Sequence, residues 1–274
     1  MSETNQDLAV TGNSALDALR AAYPQDAADS YEKKFIPQLR FRAKTVLDDD
    51  DKVKHKAGTF LKIERSEEQN AEGKYDYTET DLGLKITGDV IYARYRLSMY
   101  DAANDTYVST PIFDDKNNEV VKLFSGGSEI ASGTKDELQA MYKYEEDGKK
   151  KDKLKLQKVL YVLIDGVLHE LALGTGNMYR YADYLRSLKP LEPSLVHTEF
   201  TSEKTEYGGN KYNQLVFKNV GALTEEEAVA NVEVVKDLIK GIQAEKAYYG
   251  TNMTGNVPPS TEVPELEGGT DDGF

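Results

Sequence analysis

The stretch KLKLQKVLYVLIDGVLHELAL, residues 153–173, contains two apolar runs joined by Asp165-Gly166. Asp-Gly between apolar runs is one of the strongest short-range signals of a β-hairpin. Alternation predicts that one face of the first run is apolar and holds Leu154, Leu156, Leu160, Val162 and Ile164, with Lys158 as a misfit that a β-bulge would explain. The opposite face is predicted to be polar and holds Lys153, Lys155, Gln157 and Tyr161. The stretch therefore predicts a hairpin with one core face and one basic face.

Further strands are predicted with the same two-sided character. Residues 37–46 place Leu39, Phe41 and Ala43 on one face and Gln38, Arg40, Arg42 and Lys44 on the other. Residues 59–63 place Leu61 and Ile63 inward and Phe60 and Lys62 outward. Residues 89–100 place Ile91, Ala93, Tyr95, Leu97 and Met99 inward and Tyr92, Arg94, Arg96, Ser98 and Tyr100 outward. The intervening residues 64–80 are interpreted as a long polar connection.

Helices are predicted between and after these strands. Thr134 with Glu137 and Thr224 with Glu227 have the spacing of capping boxes, and they begin helices predicted over residues 134–144 and 224–248. An aromatic helix is predicted near residues 178–188. The fold class that follows is α+β, mainly β, in the form of an OB-like antiparallel barrel with inserted helices and a long C-terminal helix.

The composition limits the classes of function. The chain has 274 residues and no cysteine, which excludes disulfides and thiolate metal sites and favours a reducing compartment. The longest apolar run, residues 159–164, is far too short to span a membrane, and the first residues lack the pattern of a signal peptide. A soluble cytoplasmic protein without membrane contacts is expected, in the host cytoplasm if the protein is viral.

Charge is distributed unevenly along the chain. Residues 1–30 carry five acids against one arginine and residues 251–274 carry five acids and no base, which leaves −5 of the total charge of −14 for residues 31–250. Within residues 31–250, the segment 33–44 holds five bases and no acid, and the segment 149–158 holds six bases and one acid. A flexible arm is therefore predicted for residues 1–30, one nucleic-acid-binding domain for 31–249 and a disordered acidic tail for 250–274.

Catalytic motifs are absent from the sequence. The three histidines are isolated, and there is no Walker motif, no nucleophile-elbow serine and no HExxH. The sequence therefore predicts no enzyme, no metal site and no cofactor, although a carboxylate-only metal enzyme acting on nucleic acid stays open as an alternative.

Tyrosine beside arginine or lysine on strand faces suits a single-stranded nucleic acid, because the rings stack on unpaired bases and the cations pair with phosphates. An ordinary solvated strand face has the same composition and stays open. The predicted contact residues are Arg40, Arg42, Lys44, Phe60, Lys62, Tyr92, Arg94, Arg96, Tyr100, Lys153, Lys155 and Tyr161.

The end of the chain carries Glu262, Glu265, Glu267, Asp271, Asp272 and a terminal Phe274. In this the chain resembles the single-stranded DNA-binding proteins of bacteria and phages, although it ends DDGF where bacterial members end in Ile-Pro-Phe. The resemblance implies an OB-type barrel that binds single-stranded DNA without sequence preference, and a tail in which Asp271, Asp272 and Phe274 recruit replication or recombination proteins.

Two further alternatives remain, one for the function of the protein and one for the role of its tail. One is a viral structural or assembly protein whose β domain packs against copies of itself, and homo-oligomers are possible in either case. For the tail, the alternative is an acidic extension that only keeps the protein in solution.

Overall fold

The structure is a computed structural model, and it describes residues 35–251 except 49, 72, 105, 147 and 148. The predicted arm and nearly all of the predicted tail, including Asp271, Asp272 and Phe274, lie outside the described residues. The described strands are β1 Gln38–Phe41, β2 Val46–Leu47, β3 Val53–His55, β4 Phe60–Gln69, β5 Tyr75–Gly83, β6 Ile86–Asp101, β7 Thr106–Ser109, β8 Val121–Ser125, β9 Ser128–Gly133, β10 Lys143–Glu146, β11 Lys149–Asp152, β12 Lys155–Ile164, β13 Val167–Leu173, β14 Val196–Tyr207 and β15 Asn210–Ala222. The described helices are α1 Lys135–Met141, α2 Thr175–Leu188 and α3 Glu225–Thr251, with a short 3₁₀ helix at Pro193–Leu195.

One large sheet organises these elements. Its hydrogen-bonded path runs β5-β4-β1-β13-β12-β6-β7-β8-β9, and the β14–β15 hairpin joins it through β6. Strands β1 and β13 are parallel, whereas the other pairs are antiparallel. The path begins at β5 and ends at β9 without closing. The α+β, mainly β class is therefore confirmed, and a closed OB-like barrel is not.

The central hairpin forms as the sequence predicts. Strands β12 and β13 pair from Lys158 with Leu173 to Ile164 with Val167. The turn residues Asp165 and Gly166 both have positive φ, 49° and 75°. These values belong to the type I′ turn, whose twist matches that of the flanking strands.

Both faces of this sheet are covered. On the first, which we call the α2 face, Leu160, Val162 and Leu171 pack against Tyr181 and Tyr184 of α2. On the second, the α3 face, Val159 and Leu163 pack against α3 through Val235, Leu238 and Ile239. A third cluster around Leu97, Leu123 and Leu138 continues the core toward α1.

The predicted bulge lies on a different strand. Tyr161 pairs with Tyr92 and Val162 pairs with Val90, so the extra residue is Ile91 of β6. A bulge turns two successive residues to one face, and Ile91 and Tyr92 both pack on the α3 face. Lys158 keeps its regular place in β12, and its side chain lies on the α2 face.

The connection predicted over residues 64–80 is wrong. Strand β4 continues to Gln69 and pairs with β5 as a second hairpin, with Ile63 opposite Glu79 and Arg65 opposite Tyr77. Strand β5 does alternate: Tyr75, Tyr77 and Glu79 are half-buried, whereas Asp76 and Thr78 are exposed. The segment was interpreted as a polar connection because it contains many charged residues.

Helix α3 begins at the predicted capping box. The Thr224 hydroxyl accepts a hydrogen bond from the Glu227 backbone N–H at 3.3 Å, and the Thr224 N–H donates to Glu227 Oε2 at 2.8 Å. The Thr224 N–H thereby holds the pKa of the Glu227 carboxyl below its usual value. None of the helices in the described part of the chain has the length and the apolar character that a membrane span requires.

We expect Thr224→Ala to lower the free energy of unfolding by about 1 kcal/mol, because the Glu227 N–H at the start of α3 loses its side-chain acceptor and the Glu227 carboxylate loses the hydroxyl that donates to it. Thr224→Ser keeps the hydroxyl and is the matched control, with stability close to that of the unchanged protein. Urea unfolding followed by circular dichroism measures both. Equal stability of the alanine and serine variants would contradict a role for this cap.

Candidate nucleic-acid interface

The residues predicted for the central basic face do share one face. Across the β6–β12 ladder Tyr92 lies opposite Tyr161 and Arg96 lies opposite Gln157. Glu170 of β13 lies opposite Tyr161 on the far side of β12. Alternation therefore predicted this common face correctly for Tyr92, Arg96, Gln157 and Tyr161. The prediction for Ile91 is wrong, because the bulge places Ile91 on the same face as Tyr92 and not on the opposite one.

Helix α3 covers much of this face, which corrects the prediction that it is open to solvent. Tyr161 is only 2% exposed and packs with Ile91 against Val235 and Ile239. Its burial raises the pKa of the Tyr161 hydroxyl well above the usual value. The ring of Tyr92 lies 6.0 Å from that of Tyr161 and belongs to the same contact. Tyr161 is therefore a core residue in this structure and has no surface to offer a base.

Arg94 and Arg96 are paired with carboxylates. Arg96 Nη1 lies 2.7 Å from Glu170 Oε1, and the side chains are 22% and 13% exposed. Arg94 forms an ion pair with Asp114, and its guanidinium lies 3.8 Å from the centre of the Tyr92 ring. Burial acts to lower the pKa of Arg96, but the surrounding groups, Glu170 first among them, together raise that pKa above its usual value. Both guanidinium groups thus already have anionic partners within the protein.

Helix α3 contributes two charged residues, Lys246 and Glu245, to this network. Lys246 Nζ lies 3.0 Å from Asp114 Oδ2 and 3.0 Å from Glu119 Oε1. Glu245, only 7% exposed, contributes to raising the pKa of Arg96. The cations gathered here are Arg94, Arg96 and Lys246, and the carboxylates are Asp114, Glu119, Glu170 and Glu245. The carboxylates outnumber the cations, so this region does not attract a phosphate.

The basic residues predicted on the outer face of β1 do not form one surface either. Strand β1 ends at Phe41, so Arg42 and Lys44 follow the strand and do not continue its outer face. Arg42 is 7% exposed and its Nη2 lies 3.2 Å from Glu79 Oε1, while Glu79 Oε2 lies 3.1 Å from His55 Nε2. Lys44 is exposed in a bend. Arg42 therefore ties the β2–β3 region to β5 and is not available to a ligand.

Phe60 and Lys62 were predicted to point outward and to contact nucleic acid together with Arg40, and the structure contradicts the outward direction. Phe60 is 0% exposed, and its ring lies 5.3 Å from that of Phe41 in the core of the α2 face. Lys62 lies opposite Leu39, whereas Arg40 lies opposite Leu61, so Lys62 and Arg40 are on different faces. Lys62 is also paired with Glu64 at 2.9 Å. Phe60, Leu61 and Ile63 are all 0% exposed, so both faces of this part of β4 are in contact with protein.

The far end of the α3 face is different. Tyr100 of β6 lies opposite Tyr107 of β7, and their half-buried rings are 5.2 Å apart. Lys155 lies opposite Ser98 on the same face, and both Lys155 and Lys153 are exposed. Within the part of the chain that the structure describes, no carboxylate forms a salt bridge with either lysine. We call Tyr100, Tyr107, Lys153 and Lys155 the tyrosine–lysine patch.

Helix α3 stops short of this patch. It starts beside Asp89 of β6, whose Oδ2 accepts from Asn231 at 3.0 Å, and by Lys246 it has reached the ion pair of Arg94. The five residues from Lys246 to Thr251 advance by roughly 8 Å at 1.5 Å per residue. Tyr100 is six strand residues beyond Arg94, which is roughly 20 Å. The patch therefore continues the face past the end of the described helix.

Most of the lysine run before β12 belongs to a separate two-stranded sheet. Residues Lys149–Asp152 form β11, which pairs with β10. In that register Lys149 lies opposite Glu146 and Lys150 lies opposite Glu145. Lys153 and Lys155 are the basic residues that the structure places beside the tyrosines.

A second aromatic and cationic cluster lies on the β4–β5 hairpin. The guanidinium carbon of Arg65 is 3.9 Å from the centre of the Tyr75 ring and 5.0 Å from that of Phe35. The Phe35 and Tyr77 rings are 6.2 Å apart. No salt bridge to Arg65 occurs among residues 35–251 as far as they are described, so stacking is what holds this cation in place.

Comparison with known proteins gives no relatives. No family model, curated protein or solved structure matches the chain. Among the described residues, no group of three or more histidine and acidic side chains is placed to hold a metal ion. Function must therefore be inferred from the geometry of the surface.

Two contributors to these surfaces were missed in the sequence. Tyr107 lies in a strand of only four residues, too short for alternation to assign it a face. Arg65 fell within the segment interpreted as a polar connection, although the spacing of Tyr75 and Tyr77 at i and i+2 was a signal for a strand.

Proposed function

We propose that this protein binds single-stranded DNA without marked sequence preference and that the tyrosine–lysine patch is the point of contact. The observation that carries the proposal is the pair of tyrosine rings 5.2 Å apart beside two exposed lysines that form no salt bridge among the described residues, although the Asp101 carboxylate is near enough to interact electrostatically with Lys153. Each ring offers a face to an unpaired base, and each ammonium neutralises a phosphate.

This arrangement favours single strands over duplexes. Bases within a duplex are stacked on one another and do not reach aromatic side chains, whereas unpaired bases can be splayed onto them. Neither stacking nor phosphate contact reads base identity, which is why sequence tolerance is expected. A closed barrel is not needed for such contacts, because the ends of β6, β7 and β12 already provide the platform.

A role in replication or recombination, in the cytoplasm of a cell or of a viral host, completes the proposal. In the resemblance described above, the terminal acids and Phe274 recruit partner proteins. Asp271, Asp272 and Phe274 are proposed to do the same here, through a basic pocket on the partner with an apolar centre.

The salt dependence of binding tests the lysines. We expect Lys153→Ala with Lys155→Ala to weaken binding of a fluorescent oligothymidine and to reduce the slope of log affinity against log salt by about 1.4, because single strands lose about 0.7 per phosphate contact. Lys211→Ala with Lys218→Ala on β15 removes the same charge from exposed positions outside the patch and is the matched control. The slope should stay unchanged in that control. Equal slopes in both double variants would contradict the assignment, and equal affinity for duplex would contradict the single-strand preference.

A structural or assembly protein is the second candidate function, and the edge of the sheet favours it. Strand β9 is the last in the sheet path, and near it Ile130 is 45% exposed and Val120 is 66% exposed. Exposed sheet edges with apolar side chains are sites where further strands can add. Light scattering without nucleic acid separates the two candidates, since large assemblies favour the second and small particles that bind DNA favour the first.

A further inference from the structure

Lys158 is a half-buried cation in the middle of the central strand β12. Its ammonium nitrogen lies 3.3 Å from the Tyr95 hydroxyl oxygen, to which it donates a hydrogen bond. It also lies 4.6 Å from the centre of the Tyr95 ring and 5.9 Å from that of Tyr181. The side chain is on the α2 face, opposite to the tyrosine–lysine patch.

Lys158, like Arg65, is a half-buried cation that forms no salt bridge among the described residues, whereas several other half-buried or buried cations do. Arg42, Arg94, Arg96, Lys122 and Lys246 each have a carboxylate within salt-bridge distance. Within the described ranges, Lys158 has none. Removing a charge from water is costly unless an opposite charge or hydrogen-bond acceptors replace the water. The aromatic rings supply part of that compensation, and a full anionic partner is missing.

A second ammonium group lies near the same ring. Lys116, in the segment between β7 and β8, has its nitrogen 6.0 Å from the centre of the Tyr95 ring. The acids next to it are engaged elsewhere: Asp114 pairs with Arg94 and Lys246, and Asp115 accepts hydrogen bonds from Asn117 and Asn118. Lys116 itself forms no salt bridge in the described part of the chain.

Hydrogen-bond donors outnumber acceptors at this place. The Tyr95 oxygen accepts from Lys158, so its own O–H is left to donate. Each ammonium carries three N–H groups and has no acceptor capacity. The first turn of α2, which begins two residues after Leu173, the ladder partner of Lys158, contains no acidic residue. A ligand that fits such a site must be anionic and must present several acceptor oxygens.

We propose that Lys158, Lys116 and the Tyr95 hydroxyl form a binding site for a phosphate group. The geometry that supports the site is the approach of both ammonium groups to one ring, at 4.6 and 6.0 Å from its centre, with Lys158 also 3.3 Å from the hydroxyl oxygen. A phosphate offers several charged oxygens as acceptors, and charge-assisted hydrogen bonds to them are short and strong. The site lies on the other face of the sheet from the tyrosine–lysine patch and does not depend on it.

Isothermal titration of the full chain with inorganic phosphate and with pyrophosphate tests the proposal without DNA. Saturable binding is expected in the unchanged protein, and Lys158→Met should weaken it by about tenfold or more because a charged hydrogen-bond donor is lost. Lys122→Met is the matched control, since Lys122 is half-buried but paired with Glu129 at 3.4 Å, and its phosphate affinity should be unchanged.

Tyr95→Phe provides a second variant in case Lys158→Met disturbs the fold. It keeps the ring and removes only the hydroxyl, so phosphate binding should weaken while circular dichroism and the unfolding temperature stay the same. The proposal is overturned if the unchanged protein shows no saturable binding, or if Lys158→Met and Tyr95→Phe both bind phosphate as tightly as Lys122→Met.

A parallel titration with a single-stranded oligothymidine identifies the source of the phosphate. If Lys158→Met weakens both phosphate and oligothymidine binding, the site holds a backbone phosphate of nucleic acid. If it weakens only phosphate binding, the site holds a separate phosphorylated molecule. Both results support a phosphate site, and failure of DNA binding alone would count against the tyrosine–lysine patch instead.

Discussion

Arg96→Ala is expected to lower the free energy of unfolding by about 3 kcal/mol, which is the lower end of the cost of breaking a buried ion pair. The loss leaves Glu170 without its partner at 2.7 Å, and Glu170 is only 13% exposed. Glu245, at 7% exposure, loses a nearby positive charge at the same time. Urea unfolding measures the change. The expected destabilisation lies at the lower end of the range because Arg96 itself is 22% exposed and partly hydrated.

A double substitution separates this explanation from a general packing defect. Arg96→Met with Glu170→Met removes both charges and is expected to be more stable than Arg96→Ala, because an apolar pair of similar volume avoids an unpaired buried carboxylate. Arg94→Ala should cost less, since its partner Asp114 is 57% exposed and also pairs with Lys246. Unchanged stability of Arg96→Ala, together with a specific loss of DNA affinity, would mean that Arg96 serves as a phosphate contact after all.

Tyr100→Ala is expected to weaken binding of single-stranded DNA by about 1–3 kcal/mol, the usual cost of losing one base-stacking ring. That corresponds to roughly 5- to 150-fold in the dissociation constant. Fluorescence anisotropy with an oligothymidine measures it, and Tyr100→Phe should bind nearly as well as the unchanged protein because the ring is kept.

Tyr179→Ala is the control for a general effect of removing an aromatic side chain. Tyr179 is 69% exposed on α2 and lies outside the tyrosine–lysine patch, so its removal should leave DNA affinity unchanged. Equal losses in Tyr100→Ala and Tyr179→Ala would show that the patch is not the site of stacking.

The parts of the fold that were predicted correctly depend on local signals. The Asp165-Gly166 turn and the Thr224–Glu227 capping box both act over a few residues, and each is found where the sequence places it. Alternation along β6 and β12 likewise placed Tyr92 and Tyr161 on a common face. Such features are encoded by the chain segment itself and do not depend on distant contacts.

What covers a face is decided elsewhere in the chain, and there the predictions failed. Tyr161 was expected at the surface but is buried by Val235 and Ile239, which are more than 70 residues away in sequence. Phe60 was misassigned for the same reason, because it is buried in the cluster that includes Tyr181 and Tyr184, which are more than 100 residues away in sequence. Local periodicity identifies two faces of a strand, whereas only tertiary packing shows that both are covered.

Charge was misjudged in a similar way. The sequence shows Arg94 and Arg96 on one strand without nearby acids, but Asp114 and Glu170 reach them from a loop and from another strand. Lys153 and Lys155 are exposed and form no salt bridge among the described residues, and the Asp101 carboxylate interacts electrostatically with Lys153. Clusters of basic residues in the sequence therefore suggest a larger phosphate-accessible surface than the folded protein has.

Photo-crosslinking tests the central claim most directly. A single-stranded oligonucleotide that carries 5-bromodeoxyuridine is irradiated with the full chain, and the crosslinked residues are identified by mass spectrometry. If the tyrosine–lysine patch is the site, crosslinks are expected at Tyr100 and Tyr107. They should disappear in 1 M salt, because the Debye length falls to about 3 Å and the attraction between lysine and phosphate is screened. Crosslinks concentrated at Tyr92 or Tyr161 instead, which would require DNA beneath α3, would contradict this account.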